Sequence, residues 1–165
     1  MSNRQLKSHA RHQKQFKAFA SKCSDSEYGA LVREGENLLC SSGDGMTEEN
    51  IRAFGLFQTA ANGGRIDAQF YLGICYYYGK GVPQDHAEAV KWFRKAAAQG
   101  YAKAQDFLGV CYSNGEGVPQ DHAEAARWHR KAAAQGYAKA QYNLGVCYSN
   151  GECQRRSDSR INWAV

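Results

Sequence analysis

The feature that most constrains this chain is a stretch of thirty-six residues that occurs twice in succession and then begins a third time. Residues 68–103 read AQFYLGICYYYGKGVPQDHAEAVKWFRKAAAQGYAK, and residues 104–139 read AQDFLGVCYSNGEGVPQDHAEAARWHRKAAAQGYAK. A partial copy spans residues 140–151, and a degenerate copy precedes the others at about residues 32–67. Repeats of this length cannot bury a core alone, so tandem copies stack on their neighbours. We therefore expect residues 28–151 to form a repeat array.

Each copy is expected to contain two helices joined by a glycine-rich turn. Apolar residues of the second helix recur at intervals of three and four, as a helix with one buried face requires; they are Ala89, Trp92, Phe93, Ala96 and Ala97. Asp85 and Glu88 form the pattern of a capping box, and Gly100 stands where glycine ends a helix without strain. The first helix is expected from about Ala68 to Tyr78. The sequence predicts an all-α fold, a right-handed α-α superhelical solenoid of helix-turn-helix repeats with a period of 36 residues.

The two ends of the chain differ from the repeats in charge. The net charge is +5, but basic residues are concentrated before Asp25 and after Glu152, and the middle is slightly acidic. We expect residues 1–27 to be a basic, flexible arm and residues 152–165 to be a tail outside the repeat. A solenoid must cover its last apolar face. Residues 161–165 include Ile161, Trp163 and Val165, which either fold back on the last helix or leave that end open to self-association.

The cysteines and the hydropathy pattern bear on the compartment. Cys75, Cys111 and Cys147 occupy one repeat position, which favours reduced thiols that fill a packed site over a disulfide framework. No stretch approaches the roughly 20 apolar residues of a transmembrane segment, and no secretory signal is recognisable at the N-terminus. We expect a soluble, cytoplasmic protein.

The polar residues do not form an enzyme site at any recognisable spacing. His122 and His129 lie seven residues apart on one helix, but no acidic or cysteine partner completes a metal-ligand set. The Gly-x-Gly-Val turns lack the Lys-Ser or Lys-Thr of a phosphate-binding loop. The repeated cysteines are better explained as packing than as nucleophiles. We therefore expect no catalytic residue, no metal and no cofactor.

The residues that the copies share form a specific pattern. They are Ala68, Leu72, Gly73, Tyr76, Gly79, Gly81, Val82, Asp85, Ala89, Trp92, Lys95, Ala96, Ala97 and Gly100, and their counterparts thirty-six residues later include Leu108, Gly109, Asp121, Trp128 and Gly136. The pattern resembles the Sel-one-like repeat (SLR) family, a relative of the tetratricopeptide repeats. The resemblance implies paired helices in which these residues are structural. Gly73 is expected to lie where the neighbouring helix or Trp92 leaves no room for a Cβ.

The resemblance also implies a function. Such proteins are adaptors that assemble complexes in bacterial signalling, secretion and envelope regulation, and they serve membrane-protein quality control in eukaryotes. We expect an adaptor that binds a protein or peptide of unknown identity. A secreted, cysteine-rich branch of the family pairs two cysteines in each repeat, whereas this chain has one, so an exported protein with enzyme-like or ligand-binding activity is the alternative. Binding of nucleic acid or an anionic surface through the basic arm is another alternative, although we do not expect nucleic acid to be the partner.

Differences between the copies suggest where a partner binds. Variable positions of the first helix fall at i, i+4, i+7 and i+8, on one helix face. In solenoids of this plan the first helices line the concave surface. We predict a groove with Phe70, Tyr77 and Tyr78 as aromatic anchors, and with Asp106, Asn114, Tyr142 and Asn150 as polar contacts. The alternative is that these positions are unconstrained surface.

Overall fold

The computed structural model describes residues 25–41 and 43–149, which form seven helices and no strand. The helices are α1 (Asp25–Ser41), α2 (Glu48–Asn62), α3 (Ile66–Tyr78), α4 (His86–Ala98), α5 (Ala102–Asn114), α6 (His122–Ala134) and α7 (Ala138–Ser149). Each full repeat supplies two of them. The expected all-α fold of helix-turn-helix repeats is confirmed.

The chain divides after Asp85 into two compact units. In the first unit α1 packs on α2, and α2 packs on α3. In the second unit α4 packs on α5, α5 on α6, and α6 on α7. Within each unit a helix therefore packs on the helices next to it in the chain, as stacked hairpins do. Most of the predicted arm and the whole of the predicted tail lie outside the described residues.

No helix among the described residues has the length and apolar character needed to cross a bilayer.

The helix α6 begins at an aspartate that caps it. The side chain of Asp121 accepts hydrogen bonds from the backbone N–H groups of Ala123 and Glu124, each at 3.0 Å. The expected return contact from Glu124 is not made, because Glu124 pairs with Arg127 at 3.2 Å. Instead, the backbone N–H of Asp121 donates to the carbonyl of Tyr112 at 2.9 Å. The prediction of a capping box is therefore wrong here for the glutamate side chain. The hydrogen bond from Asp121 to Tyr112 takes its place and connects the start of α6 to α5.

The two glycines of the turn have different roles. Gly79 ends α3 in the left-handed conformation, with φ 69°, and its N–H donates to the carbonyl of Cys75. Gly81 also has positive φ, but it lies directly against the backbone carbonyl of Asn50 in α2, where a Cβ would overlap the oxygen. Gly117 repeats this close approach against His86. The Gly-x-Gly pattern thus encodes a helix end followed by a site that excludes a side chain.

A glycine inside the first helix receives an aromatic ring from the second. A Cβ on Gly109 would lie 2.5 Å from the His129 ring, and a Cβ on Gly35 would lie 2.7 Å from the Phe57 ring. In both repeats the ring belongs to the residue after the tryptophan position. Gly73 is buried in α3, and its own contact stays a prediction.

Two tryptophans, Trp92 and Trp128, lie at the edge of the core. Trp92 and Trp128 are half-buried. The ammonium of Lys95 lies 3.8 Å from the centre of the Trp92 ring, and that of Lys131 lies 4.0 Å from the centre of the Trp128 ring. In α4 and in α6 the tryptophan is therefore covered by a lysine of the same helix, three residues further on, through a cation–π contact.

Candidate functional site

Two tyrosines at the end of α3 form the aromatic surface of the first unit. Tyr78 is 52% exposed and Tyr77 is half-buried. Their rings meet edge to face with centroids 4.8 Å apart. The side-chain amide of Gln84 donates to the carbonyl of Tyr77 at 2.8 Å. This hydrogen bond therefore connects the turn that follows α3 to the end of the helix that carries the two rings.

The same frame recurs in the second unit with different side chains. Ser113 and Asn114 occupy the equivalent positions at the end of α5 and are half-buried and exposed, respectively. The amide of Gln120 donates to the carbonyl of Ser113 at 2.7 Å, and the amide of Asn114 donates to Glu116 at 3.4 Å. The backbone arrangement is shared by the two units, whereas the aromatic pair is a property of the first.

Phe70 and Asp106, which we predicted on the same binding face, lie in the core. Phe70 is 5% exposed, and Asp106 is completely buried. A buried side chain does not contact a partner at the surface, so the groove prediction is corrected at these two positions. Tyr142 is 73% exposed, and its role as a contact stays a prediction. Asn150 lies outside the described residues.

Asp106 joins three helices through one carboxylate oxygen. His129 of α6, which is 2% exposed, donates from Nδ1 to Oδ1 of Asp106 at 2.8 Å. The amide of Asn143 in α7 donates to the same oxygen at 2.9 Å. Among the described residues, Oδ2 of Asp106 has no hydrogen-bond partner. Burial raises the pKa of Tyr137, and the negative charge of Asp106 raises it further.

This polar network replaces a set of phenylalanines. One repeat earlier, the positions of Asp106, His129 and Asn143 are occupied by Phe70, Phe93 and Phe107. Within the second unit, the rings of Phe93 and Phe107 lie 5.3 Å apart. Variation at position 106 is thus part of a coordinated change in the core, and not of the binding face on which we predicted Asp106. The signal that reveals it in the sequence is the simultaneous loss of three aromatic residues at one repeat offset.

The cysteines of the repeats are packed thiols. Cys75 and Cys111 are fully buried, Cys147 is 5% exposed, and none of them is in a disulfide. Burial raises the pKa of Cys75 to about 12 despite the nearby positive charge of Lys80. Burial, together with the charge of Glu116, raises the pKa of Cys111 to about 12. Since the thiolate is the nucleophile, the raised pKa of Cys75 and of Cys111 favours the less reactive thiol form at neutral pH. The compartment stays a prediction.

The described residues bring together no cluster of three or more histidine, cysteine or acidic side chains that could hold a metal ion.

The chain has helical hairpins, shared glycine contacts and exposed helix ends. These features define the class of all-α repeat proteins, which present variable surfaces on a repeated scaffold. The model of the Sel1 repeat matches residues 34–64, 66–101, 102–137 and 138–160. The chain belongs to the Sel1 repeat family, and the resemblance found in the sequence is confirmed. The second, third and fourth matches begin two residues before the copies at 68, 104 and 140.

Solved structures of similar fold include two bacterial proteins that are clearly related in sequence. One is c5321, a protective antigen of uropathogenic Escherichia coli strains with an SLR fold; it has a TM-score of 0.70 and 36% identity over 86% of this chain and 29% of its own. The other is a Sel1 repeat protein from Oxalobacter formigenes, with a TM-score of 0.65 and 31% identity over 87% of this chain and 60% of its own. This chain therefore spans less than two thirds of either relative.

A more distant structure shares the fold alone. Helicobacter pylori cysteine rich protein B has a TM-score of 0.57 and 21% identity over 80% of this chain and 96% of its own. The comparison with curated protein sequences found no significant match.

Proposed function

We propose that this chain is a scaffold that binds a partner protein or peptide, and that the Tyr77–Tyr78 pair of the first unit is its main contact. Sel1 repeat proteins are generally protein-interaction scaffolds, which supports the class of function. The observation on which the choice of surface depends is the exposed ring of Tyr78, edge to face with Tyr77.

The tyrosine pair has the properties of an interface anchor. A tyrosine offers a large apolar ring and a hydroxyl while losing little conformational entropy, which is why it is enriched at binding hot spots. Ser113 and Asn114 show that the fold does not need aromatic residues here, because the equivalent helix end forms with small polar side chains. The rings of the first unit are therefore better explained by binding than by packing.

The position of the pair also favours binding. Gly79 ends the helix directly after Tyr78, and the hydrogen bond from Gln84 holds the carbonyl of Tyr77. A contact surface that is already ordered loses less entropy when a partner docks. A partner segment with an apolar side chain for the ring face and an acceptor for the hydroxyl fits this pair.

Site-specific photo-crosslinking tests the proposal. A photoreactive phenylalanine analogue is placed at position 78 in one sample and at position 114, the repeat-equivalent exposed site, in a matched control. The proposal predicts that position 78 crosslinks to a defined partner in cells of the source organism and that position 114 does not. Equal crosslinking at the two positions, or none at position 78, would contradict it.

A further inference from the structure

Apart from Tyr78, the large apolar side chains exposed among the described residues fall into two groups. Met46 and Ile51, at 48% and 37% exposure, lie in the first unit. Tyr142, Val146 and Tyr148, at 73%, 38% and 45%, lie in the second. Exposed apolar groups with a charged rim are typical of interaction surfaces, and the rims of these two groups have opposite charge.

The first group lies in a surface that we call the acidic corner, formed by Asp44, Met46, Glu48, Glu49 and Ile51. All five residues are exposed. Residues 26–62 contain six acidic and two basic side chains. Asp44 pairs with Lys80 at 3.4 Å, but its side chain stays 93% exposed, and such surface pairs contribute little. The acidic corner is therefore a negatively charged surface with two apolar side chains in it.

The backbone under the acidic corner is well fixed. Asn50 is completely buried, and its amide donates to the carbonyls of Gly43 and Gly45, each at 2.9 Å. The backbone N–H of Gly81 donates to the same carbonyl of Gly45 at 3.1 Å. Thr47 caps α2 by accepting from the backbone N–H of Asn50 at 3.2 Å. The loop that bears Met46 is thus held in one arrangement.

The second group lies in a surface that we call the basic end face, formed by Arg130, Lys139, Tyr142, Val146 and Tyr148. Arg130 donates to the Tyr148 hydroxyl at 2.7 Å. Lys139, Tyr142 and Val146 follow one another at spacings of three and four, so they share one side of α7. Residues 122–149 contain four Lys or Arg side chains and one acidic side chain.

Among the described residues, the basic end face has less cover than its repeat equivalent. Gly109 of α5 is buried beneath the ring of His129. Gly145, thirty-six residues later in α7, is exposed, and no described atom lies within 4 Å of a Cβ built on it. The side of α7 that corresponds to a packed side of α5 is therefore open among the described residues.

We propose that the acidic corner of one copy of this chain docks on the basic end face of a second copy. The contact joins apolar groups at its centre and opposite charges at its rim, which is the arrangement that steers and orients protein association. The two surfaces differ, so the contact is heterologous and leaves one of each surface free at the ends of the assembly. The proposal is independent of the tyrosine pair, because Tyr77 and Tyr78 belong to neither surface.

Sedimentation velocity of the full chain tests the proposal. The weight-average sedimentation coefficient is expected to rise with protein concentration at low salt, and to rise much less at about 0.5 M salt, where charges are screened. The variants Glu48→Lys/Glu49→Lys and Arg130→Glu/Lys139→Glu are each expected to remain monomeric. An equimolar mixture of the two variants is expected to associate again. The unaltered basic end face of the first variant can then bind the unaltered acidic corner of the second.

A matched control separates position from total charge. The variant Arg94→Glu/Lys103→Glu changes exposed residues at the same repeat positions one repeat earlier, with the same change in net charge as Arg130→Glu/Lys139→Glu. It is expected to associate like the wild type. Tyr142→Ser, which removes the most exposed ring, is expected to weaken association by about tenfold, a typical effect of an interface aromatic residue.

Three results would overturn the proposal. The first is a wild-type chain that stays monomeric at every concentration, which includes the case where residues 150–165 cover α7 themselves. The second is equal loss of association in the control variant. The third is a mixture of the two charge-reversed variants that fails to associate although both retain the wild-type circular dichroism spectrum.

Discussion

Gly109 shows, at the scale of the residue, how a single missing side chain sets the spacing of two helices. The His129 ring lies where a Cβ would be, and the ring cannot easily move because Nδ1 is hydrogen-bonded to the buried carboxylate of Asp106. Glycine inside a helix normally costs about 0.5–1 kcal/mol relative to alanine. Its presence at this position is therefore explained by the close packing of α5 on α6.

Gly109→Ala is expected to lower the free energy of unfolding by about 1–3 kcal/mol, the usual cost of overpacking a core. Gly145→Ala is the matched control, because no atom of the described part of the chain lies within 4 Å of a Cβ at this position in α7. It is expected to raise the free energy of unfolding by about 0.5–1 kcal/mol through helix propensity. Urea unfolding followed by circular dichroism measures both. If both variants change the free energy of unfolding in the same direction, the contact with the His129 ring does not explain the glycine at position 109.

At the scale of the element, the helices were predictable and their contacts were less so. The spacing of apolar residues and glycines predicted a first helix from about Ala68 to Tyr78, and α3 spans Ile66–Tyr78. The difference arises at the start, where Arg65 precedes the helix and Asp67 lies in its first turn. Periodicity reports the local conformation of a segment, so it located the helices to within a turn.

The binding face was harder to predict, for a physical reason. Comparing the copies separated constant from variable positions, but variation has two sources. At Tyr78 it reflects exposure, whereas at Asp106 it reflects a compensating change in His129 and Asn143. A comparison of the copies one position at a time cannot distinguish the two, because contacts between α5, α6 and α7 join residues that are distant in sequence.

The network at Asp106 gives a prediction about how three helices are held together. Asp106→Ala removes the acceptor of the buried His129 and of the half-buried Asn143, so it is expected to lower the free energy of unfolding by about 2–4 kcal/mol. Replacing all three residues with the phenylalanines of the preceding repeat, as Asp106→Phe/His129→Phe/Asn143→Phe, is expected to cost less than the single change, because no polar group is then left unpaired.

Thermal and urea unfolding of these two variants beside the wild type measure the difference. If the triple replacement destabilises the protein as much as Asp106→Ala, then three phenylalanines do not fit the space that the polar residues fill. That result would contradict the interpretation that the polar and aromatic sets are equivalent ways to pack this part of the core.

At the scale of the whole molecule, the chain combines a repeated scaffold with surfaces that differ between its units. The first unit has the tyrosine pair and the acidic corner, and the second has the basic end face. The sequence predicted the family and the repeat, since these depend on residues that recur. It did not predict the opposite charges of the two exposed apolar groups, because their members come from loops and helices whose exposure depends on packing.

The affinity of the crosslinked partner for two matched variants tests the account most directly. Tyr77→Ser/Tyr78→Asn gives the first unit the residues that the second already has, and Ser113→Ala/Asn114→Ala changes the equivalent site of the second unit. Isothermal titration calorimetry is expected to show a Kd at least about tenfold weaker for the tyrosine variant, a loss of about 1.4 kcal/mol, and an unchanged Kd for the control. An unchanged Kd for a folded tyrosine variant would contradict the proposed binding surface.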